Sequence, residues 1–374
     1  MRYRAILGIF LSSLLHSINA AANTLDKEKR TDTHNQSGFH IGVLSLQPQS
    51  NNLAYAYWVA GIQPYYQNWH AQMLNPSNSL AYELGYNYAV AQTPYSASID
   101  WLHINTSDSS FKQASESSSL LTIEFVAPPF EMSPPVFGIK RADSNLKFGF
   151  DNVGINVGKL FEFNSKFRAK LVGGIDILHV DQTITTVFGD FQSIPGTPYS
   201  YTLDADPSYS LQVQSQSKYV GVGPDLGLDV EYDVIGGFGM IGQAKGSLTA
   251  GTTSTEEFFQ GTSANLTALG IGISHQQITT PNKTQVVPGF DGKLGLYYRY
   301  FGVKVANFTL EGGYRMLTYL NAITTITPAT LVQPGTVTVT PEFATGTLAI
   351  VSITKQDSPF NLNGPYINLK IGFN

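Results

Sequence analysis

The sequence contains no cysteine, and charged residues make up only 13% of its 374 residues. Without cysteine there can be no disulfide framework, no thiolate metal site and no cysteine nucleophile. The charged fraction is far below the roughly 25% that is usual in soluble domains. The net charge is −5, and no basic run follows the N-terminal region. Nucleic acid is therefore not expected as a partner, because binding it needs clustered Lys and Arg.

Long apolar runs are also missing downstream of the N-terminus. A membrane-spanning helix needs about 20 consecutive apolar residues. A chain that crosses a membrane without such a helix must do so as a closed β-barrel, because only helices and barrels satisfy every backbone hydrogen bond in lipid. The sequence therefore predicts either a secreted soluble protein or a membrane barrel.

The N-terminus carries the pattern of a secretory signal. Arg2 and Arg4 precede a short apolar segment, 5–15, and small residues follow at 20–22. This pattern predicts a cleavable signal peptide over residues 1–22, with an uncleaved anchor helix as the alternative. Residues 23–37 are polar and predict a disordered lead-in, and residues 38–374 form the predicted β domain.

Apolar and small or polar residues alternate with a period of two along most of that domain, which predicts an all-β fold. The patterned runs are about 10–14 residues long, whereas a soluble strand has about five or six and a membrane-spanning strand about 9–11. We therefore predict a transmembrane, up-and-down antiparallel β-barrel of about 10 strands (range 8–12). The ten predicted strands are 38–47, 79–90, 95–106, 144–158, 166–180, 217–232, 237–251, 287–300, 305–320 and 359–373. Segments 53–59 and 120–126 are candidates for two more.

The connections between these strands alternate between short and long. The short ones lie near 91–94, 159–165, 233–236 and 301–304, and the long ones near 48–78, 107–143, 181–216, 252–286 and 321–358. Outer-membrane barrels have short periplasmic turns and long extracellular loops in this order.

Aromatic residues on the outward phase cluster at the strand ends that meet the short turns. They predict an aromatic girdle at the membrane interface, formed by Phe39, Tyr88, Tyr95, Phe167, Tyr232, Phe238, Tyr300, Phe308 and Phe373. In strand 144–158, Leu146, Phe148 and Phe150 are predicted to point outward. The apolar phase then changes to Val153, which predicts a β-bulge at Asp151 and Asn152.

Charged residues fall on the opposite, inward phase. The predicted lumen-lining residues are Glu83, Lys147, Arg168, Lys170, Asp225, Asp229, Asp291, Lys293, Arg299, Glu311, Arg315 and Lys370, with Lys166, Asp176 and Glu231 in the same phase. Buried charges must pair or face water. Two interpretations stay open: a hydrated, charge-lined lumen that passes ions, or a network of ion pairs that plugs a narrow barrel.

Sequence motifs of enzymes are missing. The chain has no GxSxG, HExxH or Walker A motif, and its histidines lack metal-ligand spacing. We therefore predict no catalytic residues, no metal and no cofactor. One alternative is a protease or lipase site at the loop-side rim, built from Asp100, His103, His179 and Asp181.

Several segments resemble the pore-forming major outer membrane protein family of Legionella and related bacteria. They are 38–43 with 46–48, 147–153, 221–224 with 227–229, 287–288, 294–296, 311–314 and 319–322. The resemblance spans nearly the whole mature chain and implies an outer-membrane barrel with porin-like activity. Asp225 stands where a basic residue is expected in the family, so the resemblance does not carry over an ion selectivity.

The sequence thus predicts a pore-forming channel in the outer membrane of a Gram-negative bacterium, passing ions and small polar solutes. The alternative is a plugged barrel that acts as a surface structural or adhesion protein through its long loops. Lipid and lipopolysaccharide of the outer membrane are the expected surroundings, and homo-oligomerisation is left open.

Overall fold

The computed structural model describes residues 36–62, 66–115, 122–129, 131–133, 139–191, 206–262, 276–300, 306–334 and 346–373. The predicted signal peptide and nearly all of the predicted lead-in lie outside these residues. Within the described ranges, no helix is long and apolar enough to cross a membrane.

The described residues form strands almost throughout. The strands are β1 (Ser37–Ser50), β2 (Ala54–Ile62), β3 (Tyr66–Met73), β4 (Ser79–Ala89), β5 (Tyr95–Gln113), β6 (Thr122–Ala127), β7 (Glu131–Ser133), β8 (Ile139–Glu162), β9 (Phe167–Phe191), β10 (Asp206–Ile235), β11 (Phe238–Thr262), β12 (Gln276–Thr279), β13 (Lys283–Tyr300), β14 (Ala306–Pro334) and β15 (Gly346–Phe373).

Ten of these strands close into one antiparallel ring. Its order is β1, β4, β5, β8, β9, β10, β11, β13, β14 and β15, and β15 pairs again with β1. Strands that are neighbours in the ring are also consecutive ring strands in the chain, and the last one closes on the first. The barrel therefore has the predicted up-and-down topology. The predicted all-β barrel of about ten strands is confirmed.

Short connections lie at one end of the barrel. β4 and β5 are joined by 90–94, β8 and β9 by 163–166, and β10 and β11 by Gly236 and Gly237 alone. These two glycines have φ values of 57° and 83°, the left-handed conformation that a tight two-residue hairpin requires. The fourth short connection, 301–305, lies outside the described residues.

Several strands are much longer than a bilayer requires. β8 to β11, β14 and β15 have 24 to 30 residues each. Since about 9–11 residues span the hydrocarbon core, these strands extend beyond it on the side of the long connections. The additional residues come from segments that the sequence pattern assigns to loops, so the barrel is taller than predicted.

In the membrane-spanning part the apolar side chains point outward. In the part of the strands beyond the membrane, which we call the extension, they point inward. On β8, Ile155 and Val157 point outward and are 48% and 67% exposed, whereas Leu146, Phe148 and Phe150 point inward and are at most 3% exposed. The pairing of β8 with β5 and β9 continues through Asp151 and Asn152 without a register shift. The predicted bulge is therefore wrong, and the apparent change of phase marks the boundary between lipid outside and water outside.

The two candidate extra strands do form, but not in the barrel. β2 pairs with β3 and β6 to make a separate three-stranded sheet. Its core is a small apolar cluster of Val59, Phe125 and Ala127, against which Tyr57 packs. The barrel itself therefore keeps ten strands.

The upper part of β14 leaves its neighbour β13. Their pairing ends at Tyr319, the pairing of β14 with β15 shifts register just beyond, and Asn321 there has a φ of 60°. Beyond this point Thr324 contacts two strands that do not neighbour β14: its backbone N–H donates to Ser217 on β10 at 2.9 Å, and its carbonyl accepts from Thr255 on β11 at 3.4 Å. The paired upper parts of β14 and β15, which we call the β14–β15 ribbon, therefore lean over the interior of the barrel.

Candidate functional site

All nine residues of the predicted aromatic girdle lie on the outer phase, at strand ends that meet the short turns. Six of them, Tyr88, Tyr95, Tyr232, Phe238, Tyr300 and Phe373, are 40% to 52% exposed. The other three, Phe39, Phe167 and Phe308, are partly buried, and Phe39 packs against both Tyr86 and Phe373. All nine residues lie at one level along the barrel, as expected for a belt of aromatic side chains at the membrane–water interface.

The interior of the ring, which we call the lumen, contains most of the predicted lining charges. Eleven of the twelve point inward: Glu83, Arg168, Lys170, Asp225, Asp229, Asp291, Lys293, Arg299, Glu311, Arg315 and Lys370. Lys147 is the exception, because β8 keeps one phase through residue 151 and Lys147 is exposed on the outer face. Lys166 lies in a short turn and is also exposed.

A network of four side chains crosses the centre of the lumen. Glu83 on β4 accepts from Lys293 on β13 at 2.7 Å and from Arg315 on β14 at 3.0 Å. Arg315 also binds Asp291 through two hydrogen bonds, at 3.0 Å and 2.7 Å. Two strands separate β4 from β14 in the ring, and three separate β4 from β13. These ion pairs therefore join different walls of the barrel.

A second group surrounds Lys245 on β11. Its ammonium lies 2.7 Å from Asp176 on β9 and 3.2 Å from Asp225 on β10. Both carboxylates are at most 1% exposed as side chains. Lys245 is not among the residues predicted from the sequence, because glycine and alanine on the outer phase of β11 make the apolar–polar alternation weak. Lys245 does share its phase with the polar residues Gln243 and Ser247, and this pattern could have identified it.

A third group lies toward the short turns. Arg168 binds Glu231 at 3.1 Å and Asp233 at 2.8 Å, and Arg299 shares Glu231 at 3.0 Å. Two further pairs lie at this end. Lys370 binds Glu311 on the neighbouring strand, and Lys170 on β9 lies 3.1 Å from Asn87 on β4, with two strands between them. His40 and Asp100, absent from the predicted lining set, also point inward and lie 3.3 Å apart.

Aromatic rings close the lumen above these charges. Phe150 lies with its ring centroid 5.7 Å from Tyr319 and 5.5 Å from Phe360. Phe148 packs on Phe360 at 5.4 Å. Each of these four residues is at most 3% exposed, and they belong to one apolar cluster that fills the extension.

The predicted rim site of Asp100, His103, His179 and Asp181 does not form as a unit. Asp100 points inward, and the other three point outward. Both histidines do approach a carboxylate, but it is Asp151: Nδ1 of His103 lies 2.7 Å and Nδ1 of His179 3.5 Å from its oxygens. The group faces the barrel's surroundings and not the lumen.

Chemically, the lumen offers charges of both signs in fixed positions. It holds no described group of three or more His, Asp or Glu side chains that could bind a metal ion. Most of the described cations in it contact a carboxylate, so the arrangement can attract, repel or relay ions. The predictions of no metal, cofactor or catalysis stay predictions.

Two solved structures match this chain at low sequence identity and low TM-score. The outer membrane protease OmpT from Escherichia coli matches with a TM-score of 0.40 and 10% identity, over 92% of this chain and 99% of that one. A FadL homologue from Pseudomonas aeruginosa matches with a TM-score of 0.27 and 9% identity, over 90% and 89% of the two chains. No curated protein matches the chain.

A family model also matches most of the chain. The family model described as Legionella pneumophila major outer membrane protein precursor covers residues 31–373 of this chain. It includes the ten ring strands, the girdle and every charged group of the lumen described above. The chain is therefore an outer-membrane protein and belongs to the Legionella pneumophila major outer membrane protein family.

Proposed function

We propose that this protein is a porin-like channel for ions and small polar solutes, and that the described state is a closed one. The observation that carries the proposal is the chain of charged groups inside the membrane-spanning part, centred on Glu83, Lys293 and Arg315. A barrel that only had to be filled would gain as much stability from apolar side chains, because buried ion pairs seldom repay their desolvation. Ionisable groups at membrane depth typically mark an ion pathway.

Two elements would have to move for conduction. The rings of Phe150, Tyr319 and Phe360 meet across the lumen, and the β14–β15 ribbon leans over it at Thr324. Both lie above the charged groups, on the side of the long connections. Rotation of the rings or lifting of the ribbon would open the charged section to external water. No covalent chemistry is needed for this function.

The second candidate is a closed barrel that serves as a surface structural or adhesion protein. The aromatic contacts across the lumen favour it, as does the separate sheet of β2, β3 and β6 in the long connections. Binding would then depend on the loops alone.

Single-channel recording of the purified, refolded protein in planar bilayers distinguishes the two. A channel gives stepwise currents with a stable reversal potential under a salt gradient, and Glu83→Gln shifts that potential because it removes one lumen charge. Folded and inserted protein that passes no current, alone or as Phe150→Ala, contradicts the channel and supports the surface role.

A further inference from the structure

A polar group interrupts the apolar outer surface of the barrel at the upper edge of the membrane. It consists of Trp101, His103, Asp151 and His179, which we call the outer-face cluster. Asp151 accepts from the Trp101 indole N–H at 3.1 Å, in addition to its contacts with the two histidines. Nε2 of His103 lies 3.2 Å from the amide nitrogen of Asn105. The cluster therefore connects β5, β8 and β9 through one carboxylate.

The register of the strands fixes the level of this cluster. His103, Asp151 and His179 pair directly with one another in one row across the strands. The row below is apolar and includes Leu84, Ile177 and Val222, which are 42%, 41% and 51% exposed. Polar side chains facing hydrocarbon are costly, so the cluster lies where the acyl chains end and the headgroups begin.

The two rows above the cluster are polar and carry two exposed lysines. The first contains Asn105, Gly149, Asp181 and Lys218, and the second contains Ser107, Lys147 and Thr183. Neither Lys147 nor Lys218 forms an ion pair within the described part of the chain, in contrast to the paired cations of the lumen. Two exposed ammonium groups at the level of the headgroups attract anionic lipid.

Gly149 lies in the middle of this polar surface, in the row directly above Asp151. A Cβ atom at this position would lie 3.3 Å from Oδ1 of Asn105 and 3.7 Å from Cβ of Asp181. The side chains of Asn105 and Asp181 therefore flank the glycine closely on its two sides.

We propose that the outer-face cluster, together with Lys147 and Lys218, binds the phosphorylated sugar headgroup of an outer-leaflet glycolipid. The two ammonium groups bind phosphate, because charge-assisted hydrogen bonds to phosphate are strong. Sugar hydroxyls donate to Asp181 beside Gly149, while the acyl chains lie on the apolar row below. The carboxylates of Asp151 and Asp181 repel a soluble anion that lacks the several hydroxyls of a sugar. This binding is independent of whether the lumen conducts.

The test uses the full chain in detergent micelles with added lipid A, with lipid A lacking its phosphates, or with inorganic phosphate. Lipid A is expected to raise the midpoint of thermal unfolding and to appear as a bound adduct in native mass spectrometry. The Lys147→Gln/Lys218→Gln double variant is expected to bind about 30-fold more weakly, since each of the two lysines near an anionic surface contributes about 1 kcal/mol. Both lysines are exposed, so the variant keeps its fold.

Lys159→Gln is the matched control. Lys159 is also on the outer face of β8 but lies near the short turns, over the rings of Tyr95 and Phe161. Its loss is expected to leave lipid A binding unchanged. Four results overturn the proposal: no binding by the wild type, equal binding of the dephosphorylated lipid, equal binding by the double variant, or an equal shift with inorganic phosphate alone.

Discussion

The rings of Phe150 and Tyr319 face each other across the full width of the barrel, with centroids 5.7 Å apart. Phe150 is on β8 and Tyr319 is on β14, and four strands separate β8 from β14 in either direction around the ring. No wider separation exists in a ring of ten strands. Contact between these two rings therefore closes the lumen at their level, whatever the charges below would permit.

Removing the Phe150 ring is expected to open this constriction. Phe150→Ala should increase single-channel conductance or the open time, and should cost roughly 3–5 kcal/mol of unfolding free energy through the cavity it leaves. Phe290→Ala, which removes an outward ring that is 45% exposed, is the control and should leave conductance unchanged. Equal currents from Phe150→Ala and the wild type would place the constriction elsewhere.

Breaking the central ion-pair network is expected to be costly. Glu83→Gln leaves Lys293 and Arg315 without their shared carboxylate, and removal of one partner from a buried pair typically costs roughly 3–5 kcal/mol. The exposed pair of Arg141 and Asp143 provides the comparison, because its side chains are 51% and 41% exposed and Asp143→Asn should cost less than about 1 kcal/mol. Urea unfolding in detergent measures both, and similar losses would contradict the buried role of Glu83.

Glu257, in the extension above the membrane, should make stability depend on pH. Burial raises the pKa of Glu257 to about 8, and a hydrogen bond from Ser215 only partly opposes this. Because the pKa of Glu257 in the folded protein is above the ordinary value of 4.5, the contribution of Glu257 to the free energy of unfolding is complete below about pH 4.5. This contribution is lost as pH rises to about 8. Glu257→Gln, which stays neutral, should gain stability relative to the wild type between pH 5 and pH 9.

The matched control for this titration is Glu256→Gln, one residue away on the opposite face of β11. Thermal unfolding across this pH range measures both variants. If the profile of Glu257→Gln does not differ from that of the wild type, the Glu257 carboxyl is ionised in the folded protein at neutral pH.

The two glycines of the β10–β11 turn should differ in their tolerance of asparagine. Both have positive φ, which asparagine adopts more readily than other residues that carry a Cβ. A Cβ at Gly236 meets nothing within 4 Å, whereas a Cβ at Gly237 would lie 2.4 Å from the carbonyl oxygen of Arg299. Gly237→Asn should therefore lower the yield of refolded barrel, while Gly236→Asn should refold like the wild type. Equal refolding yields would contradict the close approach.

The sequence by itself determined the topology and the membrane level. Alternation identified all ten ring strands, because residues two apart in a strand share a face whatever the strand packs against. Loop lengths gave the up-and-down order, and aromatic residues at strand ends gave the girdle. Eleven of the twelve predicted lining charges point inward, because membrane-facing positions exclude charge along the whole spanning part.

The tertiary structure alone decided which face is which above the bilayer. The sequence pattern predicts that Leu146, Phe148 and Phe150 point outward, since apolar residues face lipid. In the structure they fill the interior of the extension, because water surrounds the barrel at that level. The same ambiguity put Lys147 in the lumen and introduced a bulge that does not exist. Which charges pair also stayed hidden: Glu83 and Lys293 are 210 residues apart, and only closure of the ring brings them to 2.7 Å. Alternation records the face of a residue, whereas its partner across the lumen depends on the register of every strand between them.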